Sequence, residues 1–190
     1  MMDNNTLMGN VVDRGPWIFW DTQTIAQAAS SGTSLQPFSL PISGTKTKLA
    51  TNMTKSNQLP PPQRFLLRSL GFYFSPTTIL ADQVLLANAA YFEFRIDQKI
   101  YHEGRLEFMP GGIGFQGSTS KNNEAVWTNG QPSLIARRDF GKYSRLIGDN
   151  QVFTLTINLP TAVTMTTTAN GGFGLDLICL MDGILDRSVQ

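Results

Sequence analysis

A chain of 190 residues with a net charge of +1 carries no long-range field to gather nucleic acid or an acidic membrane surface. Only 15% of its residues are charged, well under the usual quarter, so its polar character comes from Thr, Asn, Gln and Ser. That composition suits β-structure and surfaces that meet other protein, and the single cysteine, Cys179, excludes an internal disulfide and reads as a small core residue.

At this length one domain with an arm buries roughly 70% of its unfolded surface and needs no metal or disulfide staple. Residues 1–10 are polar and lack the apolar core of a signal peptide. The longest apolar stretch, residues 84–92, is interrupted by Asn88 and is too short to span a bilayer. The Asn-x-Thr triplets at Asn4 and Asn52 therefore lack a secretory context.

Residues 1–13 read as loose and polar. Three aromatics then crowd together at Trp17, Phe19 and Trp20. If extended, Trp17 and Phe19 point one way and Ile18 and Trp20 the other. The group is either a short strand covering the core or an exposed anchor on a neighbouring subunit, where Trp is enriched. Residues 22–29 suggest a turn or two of helix, ended by Ser30, Ser31 and Gly32. Residues 35–42 hold Pro37 and Pro41 and make an edge strand at best. Residues 43–56 are polar and Thr-rich, so residues 1–60 read as an N-terminal arm with short adhesive elements, and residues 61–190 as the folded domain.

Pro60, Pro61 and Pro62 fix φ and remove three N–H donors, which predicts a stiff, polyproline-like strut. A strongly β-forming run follows from Arg64 to Phe74. Plain alternation places Leu66, Leu70, Phe72 and Phe74 on one face and Phe65, Leu67, Gly71 and Tyr73 on the other, as in a strand covered on both sides. Arg68 is the exception on the richer apolar face. It either snorkels to water near a strand end or meets a carboxylate across a subunit contact. The rarity of buried charge favours the first.

Residues 75–78 predict a turn, and residues 79–90 a short surface helix, with a strand as the alternative. From Tyr91 to Ile96 the pattern alternates cleanly, with Phe92, Phe94 and Ile96 inward. Asp97 and Gln98 turn the chain into a hairpin partner at residues 99–102. Residues 112–123 are the most loop-like stretch of the second half, and Asn129-Gly130 is a hairpin signal. Residues 151–159 carry the longest clean alternation, with Phe153, Leu155, Ile157 and Leu159 on one face until Pro160. Residues 162–168 alternate again. Residues 173–181 read as a last, mostly buried strand, with a short tail after Gly183. Roughly eight strands with little helix predict an all-β, antiparallel two-sheet sandwich, whose commonest eight-stranded form is the jelly roll. No repeat of 20–50 residues is visible, which argues against a propeller or solenoid.

The search for chemistry finds little. Gly112, Gly114 and Gly117 match a dinucleotide fingerprint in letters, but Met109-Pro110 and a polar run flank them where a strand and a helix are needed. His102 is the only histidine, too few for a cupin-type metal centre or most Ser-His triads. Glu103 and Glu107 read as solvated charges rather than a glycosidase pair. Asp176, Asp182 and Asp186 lack calcium-loop spacing. No cofactor, metal or catalytic residue is expected. Arg137, Arg138, Lys142 and Arg145 interleave with Phe140 and Tyr143, a pattern that can hold single-stranded nucleic acid. Asp139, Asp149 and the near-neutral chain favour a solvated or inter-subunit face instead.

A predicted jelly roll with a polar arm, low charge and no catalytic constellation resembles the single-jelly-roll major capsid proteins of tailless icosahedral viruses. The junction NQLPPPQRF, residues 57–65, also resembles the arm-to-barrel junction of phage structural proteins. The resemblance covers residues 60–190 as architecture and carries over no functional residue. It implies a non-enzymatic virion protein that assembles into a capsid in the host cytoplasm. The implied partners are further copies of itself or a second capsid protein, with no small-molecule substrate. Contact with an internal membrane stays open, and nucleic-acid contact is disfavoured. The candidate subunit contacts are Trp17, Phe19, Trp20, Pro60, Pro61, Pro62, Arg64, Arg68, Arg137 and Arg138. The alternative is a lectin-like carbohydrate-binding sandwich, with its site in residues 112–129 around Trp127.

Overall fold

In a computed structural model, the structure describes residues 12–43, 45–74, 80–109, 116–117, 127–128, 139–165 and 175–188. In chain order the elements are β1 (Val12–Ile25), β2 (Ala28–Ala29), β3 (Thr33–Leu35), β4 (Arg64–Phe74), α1 (Leu80–Ala89), β5 (Tyr91–Ile96) and β6 (Lys99–Arg105). There follow a 3₁₀ turn (Leu106–Phe108), β7 (Gln116–Gly117), β8 (Trp127–Thr128), a second 3₁₀ turn (Gly141–Tyr143), β9 (Arg145–Ile147), β10 (Phe153–Leu159), β11 (Val163–Thr164) and β12 (Leu175–Ser188). Two four-stranded sheets form, in the orders β1-β12-β4-β9 and β3-β10-β5-β6, beside the short ladders β2-β11 and β7-β8. Their paired strands are antiparallel.

The two sheets face each other across one apolar core. Phe65, Leu67, Leu70 and Phe72 come from one sheet, and Phe92, Phe94, Phe153 and Leu155 from the other. The Phe72 and Phe92 rings meet across the gap with centroids 5.1 Å apart. The predicted alternation holds in β5 and β10, where every second residue is buried and the intervening ones are half-buried or exposed. It fixes register because a one-residue slip would turn these aromatics to water.

β4 spans the predicted residues, but its two faces are not the ones plain alternation gives. Asp182 of β12 pairs with Ser69 and Gly183 with Leu67, which leaves Arg68 as the extra residue of a bulge. The bulge shifts the phase of the strand by one. Phe65 and Leu67 point inward before it, Leu70 and Phe72 after it, and Arg68 is turned out to solvent. Gly183 lies against this bulge. A Cβ there would collide with the Leu66 carbonyl oxygen and come within 2.8 Å of the Phe65 ring. Gly183 is therefore a site of close backbone approach, and β12 runs through it to Ser188 instead of ending in a short tail.

The largest departure from the sequence reading is at the start of the chain. Val12–Ile25, expected as arm with at most a short strand at residues 17–20 and a helix from residue 22, is one continuous strand paired with β12 along its length. The charges that made it look loose are matched across the ladder. Asp13 lies opposite Arg187, with a 2.8 Å bond, and Arg14 lies opposite Asp186 at 3.0 Å. Residues 36–43 and 45–59, also expected in the arm, close the side of the sandwich between β1 and β3 and bury Phe38, Met53 and Leu59. The prolines do not form a straight strut. Gln63 N–H donates to the Pro60 carbonyl in a turn, and the Pro61–Pro62 peptide is cis. Residues 1–11 lie outside the described residues.

Candidate functional site

The free edge of β1 is covered by the segment that carries Asn52. The N–H groups of Trp20 and Thr22 point away from β12, towards Asn52 Oδ1 (2.9 Å) and the Ala50 carbonyl (2.7 Å). Asn52 then donates from Nδ2 to the Ile18 carbonyl at 2.8 Å and from its backbone N–H to the Trp20 carbonyl at 3.3 Å. By the two-residue period, Pro16 falls on the same free edge and offers no N–H. The edge is thus covered at residues 18–22 and lacks a donor at residue 16, two devices that oppose strand-to-strand aggregation.

A buried ion pair anchors the covering segment. Asp21 is fully buried on the inner face of β1. Lys46 Nζ donates to both of its carboxylate oxygens at 2.7 Å. The Phe38 N–H and Gln23 Nε2 also donate to Asp21, at 3.0 and 2.6 Å. Phe38 holds φ at +67°, a strained backbone for a bulky residue, and its buried ring packs edge-on against Phe153. The Asp21 hydrogen bond and the buried ring together keep that conformation. Cys179 lies opposite Asp21 in the β1–β12 ladder. Burial, with the Asp21 carboxylate adding to it and Lys46 opposing it, pushes its thiol well above the ordinary range. It is an inert core residue.

Between the outer face of β1 and this clamped segment lies a pocket of about 720 Å³. Pro16, Trp17, Ile18 and Trp20 line one side, with Asp182 of β12 beside them. Ile42, Lys48, Asn52 and Thr54 line the other. Trp17 is 37% exposed and Trp20 half-buried, whereas Phe19 is only 6% exposed and packs edge-on to Phe65 at 5.0 Å. The aromatic group thus divides. Phe19 is core and unavailable as a contact anchor, while Trp17 and Trp20 stay at the surface. Alternation separates Phe19 from Trp20, but it cannot say which face meets the second sheet.

A second apolar surface sits on α1. The helix buries Asp82, Gln83 and Leu86, while Val84 is 50% and Leu85 37% exposed. That is the reverse of the usual amphipathic order, in which charge faces water. α1 packs on the 3₁₀ turn Leu106–Phe108, whose Phe108 is also exposed.

The remaining candidates scatter. Pro61, Pro62 and Arg64 are exposed, and Pro60 is half-buried. Arg68 reaches a carboxylate, but within the same chain: Asp139 lies 3.6 Å away. Both side chains are about half exposed, so the pair contributes little. Arg137 and Arg138 lie outside the described residues, as do most of the Gly112–Gly117 motif and of the loop around Trp127. Of that loop, Gln116–Gly117 pairs with Trp127–Thr128. Arg145 stacks its guanidinium 5.0 Å from the Tyr101 ring, and Lys142 lies 5.1 Å from Tyr143. His102 is on the edge strand β6, stacked on Phe140 at 3.7 Å. Glu107 pairs with Arg105 at 3.2 Å. Among the described residues, no group of three or more His, Cys, Asp or Glu is placed to hold a metal ion, and no helix is long and apolar enough to cross a membrane.

No protein-family model, curated protein or solved structure matches the chain.

Proposed function

We propose that the chain is a structural subunit of an icosahedral virion shell, built as a jelly roll and assembled by contacts with further copies of itself or with a second capsid protein. The order of strand pairing carries this reading. Apart from the two short ladders, the strands nest from the outside of the chain inward, β1 with β12, β3 with β10, β4 with β9 and β5 with β6, and the β12–β4 and β10–β5 ladders join these pairs into two sheets. A long antiparallel hairpin rolled up on itself gives this nesting, with alternate pairs falling in the two sheets, which supports a jelly-roll reading, a pattern shared by viral capsid domains, lectin domains and cupins.

The surfaces agree with a contact role. β1 has its edge closed, so association there proceeds through side chains and not through strand addition. Val84 and Leu85 give α1 an outer face that water does not favour, and low overall charge lowers the desolvation cost of a contact.

Electron microscopy of the purified protein and of its source material, with light scattering for mass, tests it. Closed shells or capsomer-sized rings are the expected result. A 20.9 kDa monomer at every concentration, with no shells in the source material, rejects it.

A further inference from the structure

We propose that the pocket between the outer face of β1 and residues 42–54 is a binding site for a small amphipathic anion, an aromatic or alicyclic body carrying one carboxylate or sulfonate. The proposal does not depend on the shell reading.

The pocket falls within the usual range of about 300–1,000 Å³ for small-molecule sites. Its lining is mostly apolar: Pro16, Ile18 and Trp20 from the outer face of β1, with Ile42 opposite and Trp17 at the strand between them. Flat, rigid walls of this kind suit a ring system better than a flexible polar chain. The pocket is also preformed. Asn52 ties its outer wall to Trp20 and Ile18, and the Asp21–Lys46 pair ties the same segment into the core. A site held in place before binding loses little ordering entropy when a ligand arrives.

The charge of the ligand follows from the polar groups. Lys48 lines the pocket, and among the described residues it has no ion pair or side-chain hydrogen bond. Asp182 lines it too, but is already engaged. A cationic ligand, the other class that tryptophans attract, would meet Lys48. It would also find the Trp17 ring taken by the Arg187 guanidinium at 5.5 Å. An anion meets the Lys48 ammonium, which has no partner among the described residues, beside the Trp20 indole, which is the better match. Thr54, also in the lining, carries a hydroxyl that can donate.

The test uses the whole chain and two probes with related aromatic bodies, 8-anilinonaphthalene-1-sulfonate and the uncharged N-phenyl-1-naphthylamine. Calorimetry and probe fluorescence give stoichiometry and affinity for the native protein, K48A and T54F. The expected result is one sulfonate site per chain, weakened about two- to fivefold in K48A, the range of a solvent-exposed ion pair. The neutral probe binds K48A and the native protein alike. T54F, which puts a ring among the lining residues, loses both probes. If T54F does not fold, the K48A comparison between the two probes decides alone.

Equal sulfonate affinity in K48A and native protein overturns the proposal, as does binding that survives in folded T54F. No saturable binding overturns it. Competition by tetramethylammonium at matched ionic strength makes the site a cation cage instead. Loss of probe as the chain self-associates makes the occupant a second copy.

Discussion

Replacing Asp21 with alanine leaves the Lys46 ammonium and the Phe38 N–H without their acceptor in a place where water scarcely reaches. Asp21 is fully buried and Lys46 is 12% exposed. Breaking a buried pair by removing one partner costs about 3–5 kcal/mol, far more than the pair's net worth, because a desolvated charge is stranded. Lys46 retains a narrow path to water, which favours the lower part of that range, about 3–4 kcal/mol. At about 2–4 °C per kcal/mol for a chain of this size, D21A should melt about 6–16 °C lower. Circular dichroism gives the melting shift and urea titration the free energy. Trypsin gives a local readout, since Lys46, Lys48 and Lys55 all lie in the clamped segment and should be cut faster in D21A. The double replacement Asp21→Leu with Lys46→Met removes both charges. It should lose only the about 1–3 kcal/mol of the orphaned Phe38 N–H. The reasoning fails if D21A costs under about 1 kcal/mol, or if the losses of the two single replacements simply add.

Gly183→Ala should destabilise by about 3 kcal/mol or more, because backbone at Leu66 cannot move aside as a side-chain end can. A urea midpoint near that of the native protein would contradict it. Val84→Glu and Leu85→Glu should leave monomer stability within about 0.5 kcal/mol, since both residues are exposed, yet reduce assembly by light scattering. Undiminished assembly in both would remove α1 from the contact. Cys179 should resist thiol reagents in the folded protein and react fully in denaturant. Its folded thiol keeps its proton to higher pH than the unfolded one, which titrates near about 8.5. The native state then binds more protons above that pH. This contribution to stability is therefore complete below it and declines as pH rises. Urea titrations of native protein and Cys179→Ala at pH 7 and 9.5 should show a steeper loss in the native protein.

Much of the fold is legible because it rests on short-range patterns. The alternation of Phe92, Phe94 and Ile96 and of Phe153, Leu155 and Ile157 identifies β5 and β10 and their buried faces, and Asp97 turns the chain between β5 and β6. A β-forming run without Pro between Arg64 and Phe74 marks β4 at its true ends. The run from Leu80 to Ala89 resolves as a helix, one of the two forms its spacing allowed.

What the tertiary structure decides are the matters that depend on a distant partner. β1 looks polar because Asp13, Arg14 and Asp21 stand in it, and their partners Arg187, Asp186 and Lys46 come from elsewhere in the chain. The bulge at Arg68 lies where Gly183 of β12 comes close to β4, so no count along β4 alone reveals that its inward set changes phase. The pocket has the same origin. Its walls meet only when residues 42–54 fold back over β1. Alternation is set by the geometry of neighbouring peptides, and so it is written in the local sequence. Register between strands, and which charges lose their water, depend on pairings between segments distant along the chain, from Asp21 with Lys46 to β1 with β12, and appear only when the sheets close.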